Sequence, residues 1–399
     1  MLNKNRYLTH YRNPKANKNA PYTDAMRSIL SASKAREAMA DMRHWPGYSA
    51  TPLHELAGLA DQIEVGKLFY KDESTRFELK SFKSLGGSYA VAMQLLLAIR
   101  LETGKQAKVE DLFSGKYAEV IRQVTVATAT DGNHGRSVAW GARMFGCACV
   151  IYIHADVSVG RERSMAELGA EVIRIAGNYD DSVKEADQAA KENGWIIVSD
   201  NSYEGYMEIP KSVALGYSVM LQEAVDQLDG HIPSHVFIQG GCGGLASAVC
   251  GFFWDLWGDQ RPRLIVVEPE QANCLQLSAV EEKLVIVDGK LETLMAGLAC
   301  GEVSLLAWKI LETGADDFTT VAEALVPESM RLLARGCGDD PSIEAGESAV
   351  AGIAALLGIQ GDEAMRKLMG VDNNSSILII GTEGATDPEL YQQILHGER

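Results

Sequence analysis

The sequence predicts an α/β protein of two domains, each with a mostly parallel sheet flanked by helices. Three observations carry that expectation. Short apolar, β-branched runs alternate with segments of helical pattern through most of the chain. At 399 residues, 46% of them hydrophobic, the chain can bury two sizeable cores. Polar or glycine-rich turns follow several of the apolar runs, the place where ligands sit in sheets of this kind.

In chain order, residues 1 to about 50 are polar, punctuated by Pro14, Pro21 and Pro46, and read as a wrapping arm. Within it a helix is expected from Thr23, an acceptable N-cap, to about Met42. Lys67-Leu68-Phe69-Tyr70 reads as a strand; the polar turn Lys71 to Thr75 and a helix running to about Leu101 follow. Then come strand Val124 to Thr128, a helix from Ser137, strand Cys149 to Ile153, a helix around Arg161 to Leu168, strand Val172 to Ile175, helix Tyr179 to Asn193 and strand Trp195 to Val198. Helices of this length between strands require crossovers, and hence a parallel sheet. A second set starts with His235 to Ile238, continues with Leu264 to Glu268 and ends with Ile377 to Ile380. The expected division is 1–85 and 210–399 in a large domain and 86–209 in a small one, with the site in their cleft.

A formal net charge of -17 repels phosphate backbones and anionic lipid heads, which argues against nucleic acid or membrane and leaves small molecules as partners. No run of about 18 apolar residues occurs, and Met1 to Tyr7 leads into a polar segment without a hydrophobic signal core, so a cytoplasmic protein is expected. The seven cysteines are scattered and include no C-x-x-C pair; no metal site is indicated.

Four stretches carry chemistry. In Lys80-Ser81-Phe82-Lys83-Ser84-Leu85-Gly86-Gly87-Ser88-Tyr89-Ala90 a lysine stands beside an aromatic and two glycines. If Lys83 is held in a dry site, burial disfavours its charged form and makes it a nucleophilic amine or a Schiff-base carrier. The same residues also suit a plain helix start with two solvated lysines. In Gln239-Gly240-Gly241-Cys242-Gly243-Gly244-Leu245, between a strand and a small-residue helix, four glycines let backbone N–H groups turn toward one point. A phosphate is the natural guest, although a tight connection would use the same glycines. The stretch lacks the Lys-Ser/Thr of a P-loop and the pattern of a dinucleotide site. Thr130-Asp131-Gly132-Asn133-His134-Gly135 and Ser199-Asp200-Asn201-Ser202-Tyr203-Glu204-Gly205-Tyr206 place polar side chains at strand ends, where capping or an ordinary loop are the plain alternatives.

A candidate Schiff-base lysine and a phosphate cradle without nucleotide signatures suggest pyridoxal phosphate. Ser81-Phe82-Lys83, the Asp131 to Gly135 turn and the Gly240 to Gly244 loop occur in the order typical of fold-type II pyridoxal-phosphate enzymes. Within that group the chain resembles the diaminopropionate ammonia-lyase family, through those segments and through Glu204-Gly205-Tyr206, Met295 to Glu302, Gly346-Glu347-Ser348 and Thr382-Glu383-Gly384. The resemblance implies the fold-type II architecture, a homodimer, and α,β-elimination of 2,3-diaminopropionate to pyruvate and ammonia. It implies Lys83, Asp131 and Asp200 as catalytic residues. Phe82, Lys83, Asn133, Gly240, Gly241, Cys242, Gly243, Gly244 and Leu245 would bind the cofactor, and Thr130, Asp131, His134 and Asp200 would line the substrate. Where relatives carry Ser or Thr at the cofactor's pyridine nitrogen this chain has Gly381, so the role passes to Thr382, with a water or backbone group as the alternative. A serine/threonine dehydratase would share Lys83, Asn133 and the glycine loop but would not call for Asp131. A non-catalytic cofactor-binding homologue is the third reading. Cys274 and Cys300 fall in turns of matched segments and could be neighbours, though a cytosolic setting favours free thiols.

Overall fold

The computed structural model describes residues 2–130 and 132–398. Met1–Ser33, Ala50–Lys80 and Met220–Arg399 form one compact unit; Lys34–Ser49 and Ser81–Val219 form the other. The divisions fall at 80/81 and 219/220, and residues 34–49 go with the smaller unit. Packing gives the reason: Trp45 meets Tyr89, Trp140 and Phe145, with ring centroids 5.5–6.4 Å apart.

The larger unit holds an eight-stranded sheet in the order Leu2–Lys4, Leu8–Arg12, Asp317–Val321, Arg263–Pro269, His235–Gln239, Ser376–Gly381, Lys67–Asp72, Leu53–Glu55. The five strands from Asp317–Val321 to Lys67–Asp72 are parallel; both flanks are antiparallel. Central strands covered on both faces read as continuous apolar runs, and Val236 to Ile238, Leu264 to Val267 and Ile377 to Ile380 are all buried.

The N-terminal arm differs from its expectation. Leu8–Arg12 is a strand of the large sheet, paired with Asp317–Val321, and a buried His10–Asp317 contact at 2.8 Å joins them. The helix expected from Thr23 to Met42 is two, Asp24–Ile29 and Ala32–Met42. Leu30 is extended (φ -147°), and the Asp255 carboxylate accepts from Ala32 N–H at 2.9 Å, starting the second helix.

The smaller unit holds a four-stranded, all-parallel sheet in the order Glu171–Arg174, Ala148–Ile153, Thr125–Ala129, Ile196–Ile197. Helix Lys83–Thr103 is long and apolar enough to cross a membrane by length and composition, but much of it is buried in this unit. A Cβ at Gly86 would fall 2.3 Å from the Tyr217 ring, one at Gly87 2.5 Å from Ser137 Oγ, and one at Gly141 2.8 Å from Ser88 Cα. The glycine pair beside Lys83 serves these close helix contacts.

Four charged side chains are buried together in the larger unit. Lys71 Nζ donates to Glu223 at 2.8 Å, to the Thr51 carbonyl at 2.7 Å and to Gln227 at 3.0 Å. The Arg76 guanidinium grips Glu73 and Glu223 with bonds of 2.6–2.8 Å. Two cations face two carboxylates, so no net charge is buried. The segment they anchor then takes three left-handed residues, Phe77, Glu78 and Lys80 (φ 49°, 61° and 58°), on its way to Lys83.

Replacing Glu223 with Gln leaves Lys71 and Arg76 facing the single carboxylate of Glu73, an uncompensated buried charge, and should cost about 3–5 kcal/mol of unfolding free energy, read by urea or thermal melts. Burial alone would raise the Glu223 carboxyl, but Arg76 and then Lys71 bring it down to about 2 from 4.5. A depressed carboxyl stabilises fully above its unfolded value and loses that contribution as pH falls from 4.5 toward 2. The variant should therefore show a weaker acid dependence there; an unchanged midpoint and acid slope would contradict the network's role.

Candidate active site

In the smaller unit Lys83 opens its helix, preceded by the buried Phe82, whose ring packs on Tyr217 at 4.6 Å. Lys83 Nζ donates to Asp200 Oδ2. The two side chains are 24% and 19% exposed. Lys83 is thus ion-paired, not the desolvated lone amine of the dry-site expectation, and the carboxylate favours its ammonium form.

Asp200 follows strand Ile196–Ile197 in a loop locked by Tyr206, whose hydroxyl donates to the Ile197 carbonyl at 2.8 Å and accepts from Ser199 N–H at 2.9 Å. His134, on helix Asn133–Phe145, donates from Nε2 to the Val198 carbonyl at 2.8 Å, which assigns the Nε2–H tautomer. Its Nδ1 has no hydrogen-bond partner among the described residues and lies 3.8 Å from Asp200 Oδ2. Burial, and secondarily Lys83, lowers the imidazole below its ordinary 6.5, with Asp200 opposing; it is neutral at pH 7. Burial works against charge on Asp200 too, but the neighbouring positive charge outweighs it and holds the carboxyl below its usual range. The His134 ring, where it is protonated, and then the Lys83 ammonium both supply that charge.

Thr130 Oγ1 accepts from the N–H groups of Gly132 and Gly135, each at 3.1 Å, so its oxygen shapes the turn. Asn133 is partly buried at the helix start. Asp131 lies outside the described residues.

In the larger unit, strand His235–Gln239 leads through Gly240–Gly243 into helix Gly244–Trp257. Gly241 and Gly243 have φ of 58° and 95°, which favours glycine at both. The first N–H groups of the helix, from Gly244 and Leu245, have no intrahelical acceptor and form with its dipole an anion cradle. A Cβ at Gly240 would fall 2.5 Å from Glu268 Cγ. Glu268 ends an apolar strand, is fully buried, and accepts from Leu275 and Gln276 N–H at 2.9 and 2.8 Å. Burial outweighs those two bonds and pushes its carboxyl up to about 8. This supporting residue was missed in the sequence; an acid closing the Leu264 to Val267 run was its signal.

Cys274 Sγ donates to the Gly241 carbonyl at 3.6 Å, and Cys300 Sγ is 3.8 Å from where a Cβ of residue 241 would be. No disulfide forms among the described residues, so Cys274 and Cys300 share a neighbourhood without a bridge. The other matched segments are stitched together here. Gly297 N–H donates to Ser348 Oγ at 3.0 Å, Ser348 N–H to Glu383 at 3.3 Å, and Gly384 N–H to the Lys80 carbonyl at 2.9 Å. Thr382 is buried just past the last strand.

A family model described as pyridoxal-phosphate dependent enzyme matches residues 44–379. The diaminopropionate ammonia-lyase of Escherichia coli strain K12 is 38% identical over 374 residues, 92% of this chain and 92% of that protein. The protein of the same name from Salmonella typhimurium strain LT2 is 36% identical over 386 residues, covering 94% and 95%. The crystal structure of the Escherichia coli enzyme in complex with D-serine superposes with a TM-score of 0.89 at 34% identity, covering 100% of this chain and 98% of that one.

Histidine ring ¹⁵N spectra test the charge assignment. His134 should appear as the Nε2–H tautomer and titrate below 6.5. Asp200→Asn, which removes the carboxylate that raises it, should move it further down. A His134 titration above 6.5, or an upward move in the variant, would refute a neutral imidazole beside a Lys83–Asp200 pair.

Proposed function

Because the chain belongs to the pyridoxal-phosphate-dependent enzymes, within the diaminopropionate ammonia-lyase family, we propose that it eliminates ammonia from 2,3-diaminopropionate, L and D, and that water then hydrolyses the product to pyruvate and a second ammonia. One observation carries the reading: Asp200 already holds a primary ammonium, that of Lys83. The β-ammonium of the substrate is the same chemical group and would take its place on the carboxylate.

The residues present fit the cofactor. The glycine loop Gly240 to Gly244 and Leu245 offer N–H groups for its phosphate, Lys83 the amine that holds it, Phe82 and Asn133 its flanks, and Thr382 a hydroxyl near the last strand end. When bound, pyridoxal phosphate supplies the electron sink that makes the substrate Cα acidic. The chain's residues do the rest. Lys83, a neutral amine once the substrate's own amine has displaced it from the cofactor, would take the Cα proton of the L isomer, and Asp131 would take that of the D isomer from the opposite face. Asp200 keeps the β-nitrogen charged until the C–N bond breaks and its electron pair leaves with neutral ammonia. His134, buried and neutral at pH 7, stands beside Asp200 without taking its place at the substrate, and Thr130 shapes the turn that leads to Asn133. Asp200 also answers the dehydratase alternative, because a carboxylate favours an ammonium over the hydroxyl of serine.

Steady-state kinetics on D- and L-diaminopropionate and on serine test this. Asp200→Asn should lower kcat/KM for both diaminopropionate isomers about 10²-fold, the size of one lost charge-assisted hydrogen bond, and serine turnover much less. Asp131→Asn should cut D-isomer turnover by roughly 10²–10⁴-fold and spare the L isomer. Serine turned over faster than either diaminopropionate isomer by the unmodified protein would defeat the reading; equal loss for both isomers in Asp131→Asn would defeat the two-face division.

A further inference from the structure

Tyr70 sits in the middle of strand Lys67–Asp72, buried to 1% exposure, and its hydroxyl has no hydrogen-bond partner among the described residues. A buried donor without a partner is costly, so an orphaned hydroxyl in a core points to something that completes it. Its position says where. Ile379 is paired with both Tyr70 and Phe237, so Tyr70 and Gln239 present their side chains to the face on which any side chain at position 381 would stand. A Cβ at Gly381 would fall 2.2 Å from Tyr70 Cζ and 2.3 Å from its hydroxyl oxygen. Tyr70 therefore occupies the space that any side chain at 381 would need, at the C-terminal end of the strand that leads into Thr382. One strand over, Gln239 directly precedes the glycine loop. Its amide nitrogen is held by the Ala349 and Ile380 carbonyls at 3.1 and 2.9 Å, while its Oε1 is also buried without a partner. Two incomplete polar groups thus share the strand ends beside the phosphate cradle.

We propose that the Tyr70 hydroxyl is the hydrogen-bond donor to the cofactor's pyridine nitrogen, and that residue 381 is glycine in order to admit it. The inference rests on the proposed function and moves the contact expected of Thr382 to a strand residue. Burial first, then the carboxylates of Asp72 and Glu383, keep the phenol in its protonated, donating form. Glu383 is itself engaged by Ser348 N–H at 3.3 Å. A phenol donates to the nitrogen and leaves it unprotonated, whereas a carboxylate would share its proton with it.

Titrating the apoprotein with pyridoxal phosphate, followed by absorbance and fluorescence, tests the assignment beside apoprotein melting curves. Tyr70→Phe keeps the ring over Gly381 and removes only the oxygen. Its cofactor dissociation constant should rise about tenfold, the effect of one lost hydrogen bond, with a shifted absorbance maximum. Its apoprotein should melt no lower than the unmodified one, since the oxygen it lacks has no partner there. Thr382→Val should bind within about twofold of the unmodified protein, as expected where no hydrogen bond is lost. The assignment is overturned if Tyr70→Phe binds as tightly with the same spectrum, if Thr382→Val carries the loss, or if the Tyr70→Phe apoprotein melts well below the parent. An unmodified protein that binds no pyridoxal phosphate would instead sink the proposed function itself, and this inference with it.

Discussion

A primary ammonium resting on a carboxylate, Lys83 on Asp200, sets the terms of the smaller unit. Each partner is delivered by a different device. Gly86 and Gly87 let the lysine helix press against Tyr217 and Ser137, which fixes where that helix begins. Tyr206 ties the loop after strand Ile196–Ile197 back on itself and fixes Asp200. His134, tethered to the Val198 carbonyl and kept neutral by burial, stands beside the carboxylate without supplying a second cation. The β-ammonium of the substrate is the same chemical group as the one Asp200 holds here, so the carboxylate is already arranged to receive it. A β-hydroxyl is a poorer partner for that carboxylate, because it brings no charge.

The larger unit solves a different problem, the holding of an anion and a ring by backbone. Glycines at 241 and 243 supply the left-handed turns, Glu268 props the loop from below, and the first turn of the following helix points its N–H groups outward. Ahead of Lys83 in the chain, a buried cluster of two cations and two carboxylates secures a backbone segment that leads into three left-handed residues. Such clusters are weak evidence of net stability. Their use here is positional, since Lys71 and Arg76 both converge on Glu223 from a segment a few residues ahead of the lysine.

Much of this was legible in the sequence, and what was not has physical reasons. The central strands announce themselves because a strand covered on both faces must be apolar throughout. Leu8–Arg12 and Asp317–Val321 were hidden because they pair with each other and satisfy their polar side chains across the pair, as Thr9 and Thr320 do at 2.7 Å. The break between Asp24–Ile29 and Ala32–Met42 depends on Asp255, more than two hundred residues away, and no local pattern could report it. Lys83 could be recognised from its neighbours, but its ion pair could not, because Asp200 arrives from another strand end. Glu268 looked like the polar end of a strand, and Tyr70 like a core aromatic, until their neighbours at Gly240 and Gly381 were in place.

The claim on which the rest hangs is that Lys83, and not its neighbour three residues earlier, carries the cofactor. Lys80 is 42% exposed and paired with Glu344 at 2.7 Å, and so has neither the enclosure nor the exchangeable partner that the chemistry needs. Reducing the pyridoxal-phosphate-loaded protein with borohydride and mapping its peptides decides between them. The account predicts a phosphopyridoxyl group on the peptide at Lys83; a label on Lys80, or none on either lysine, would contradict it.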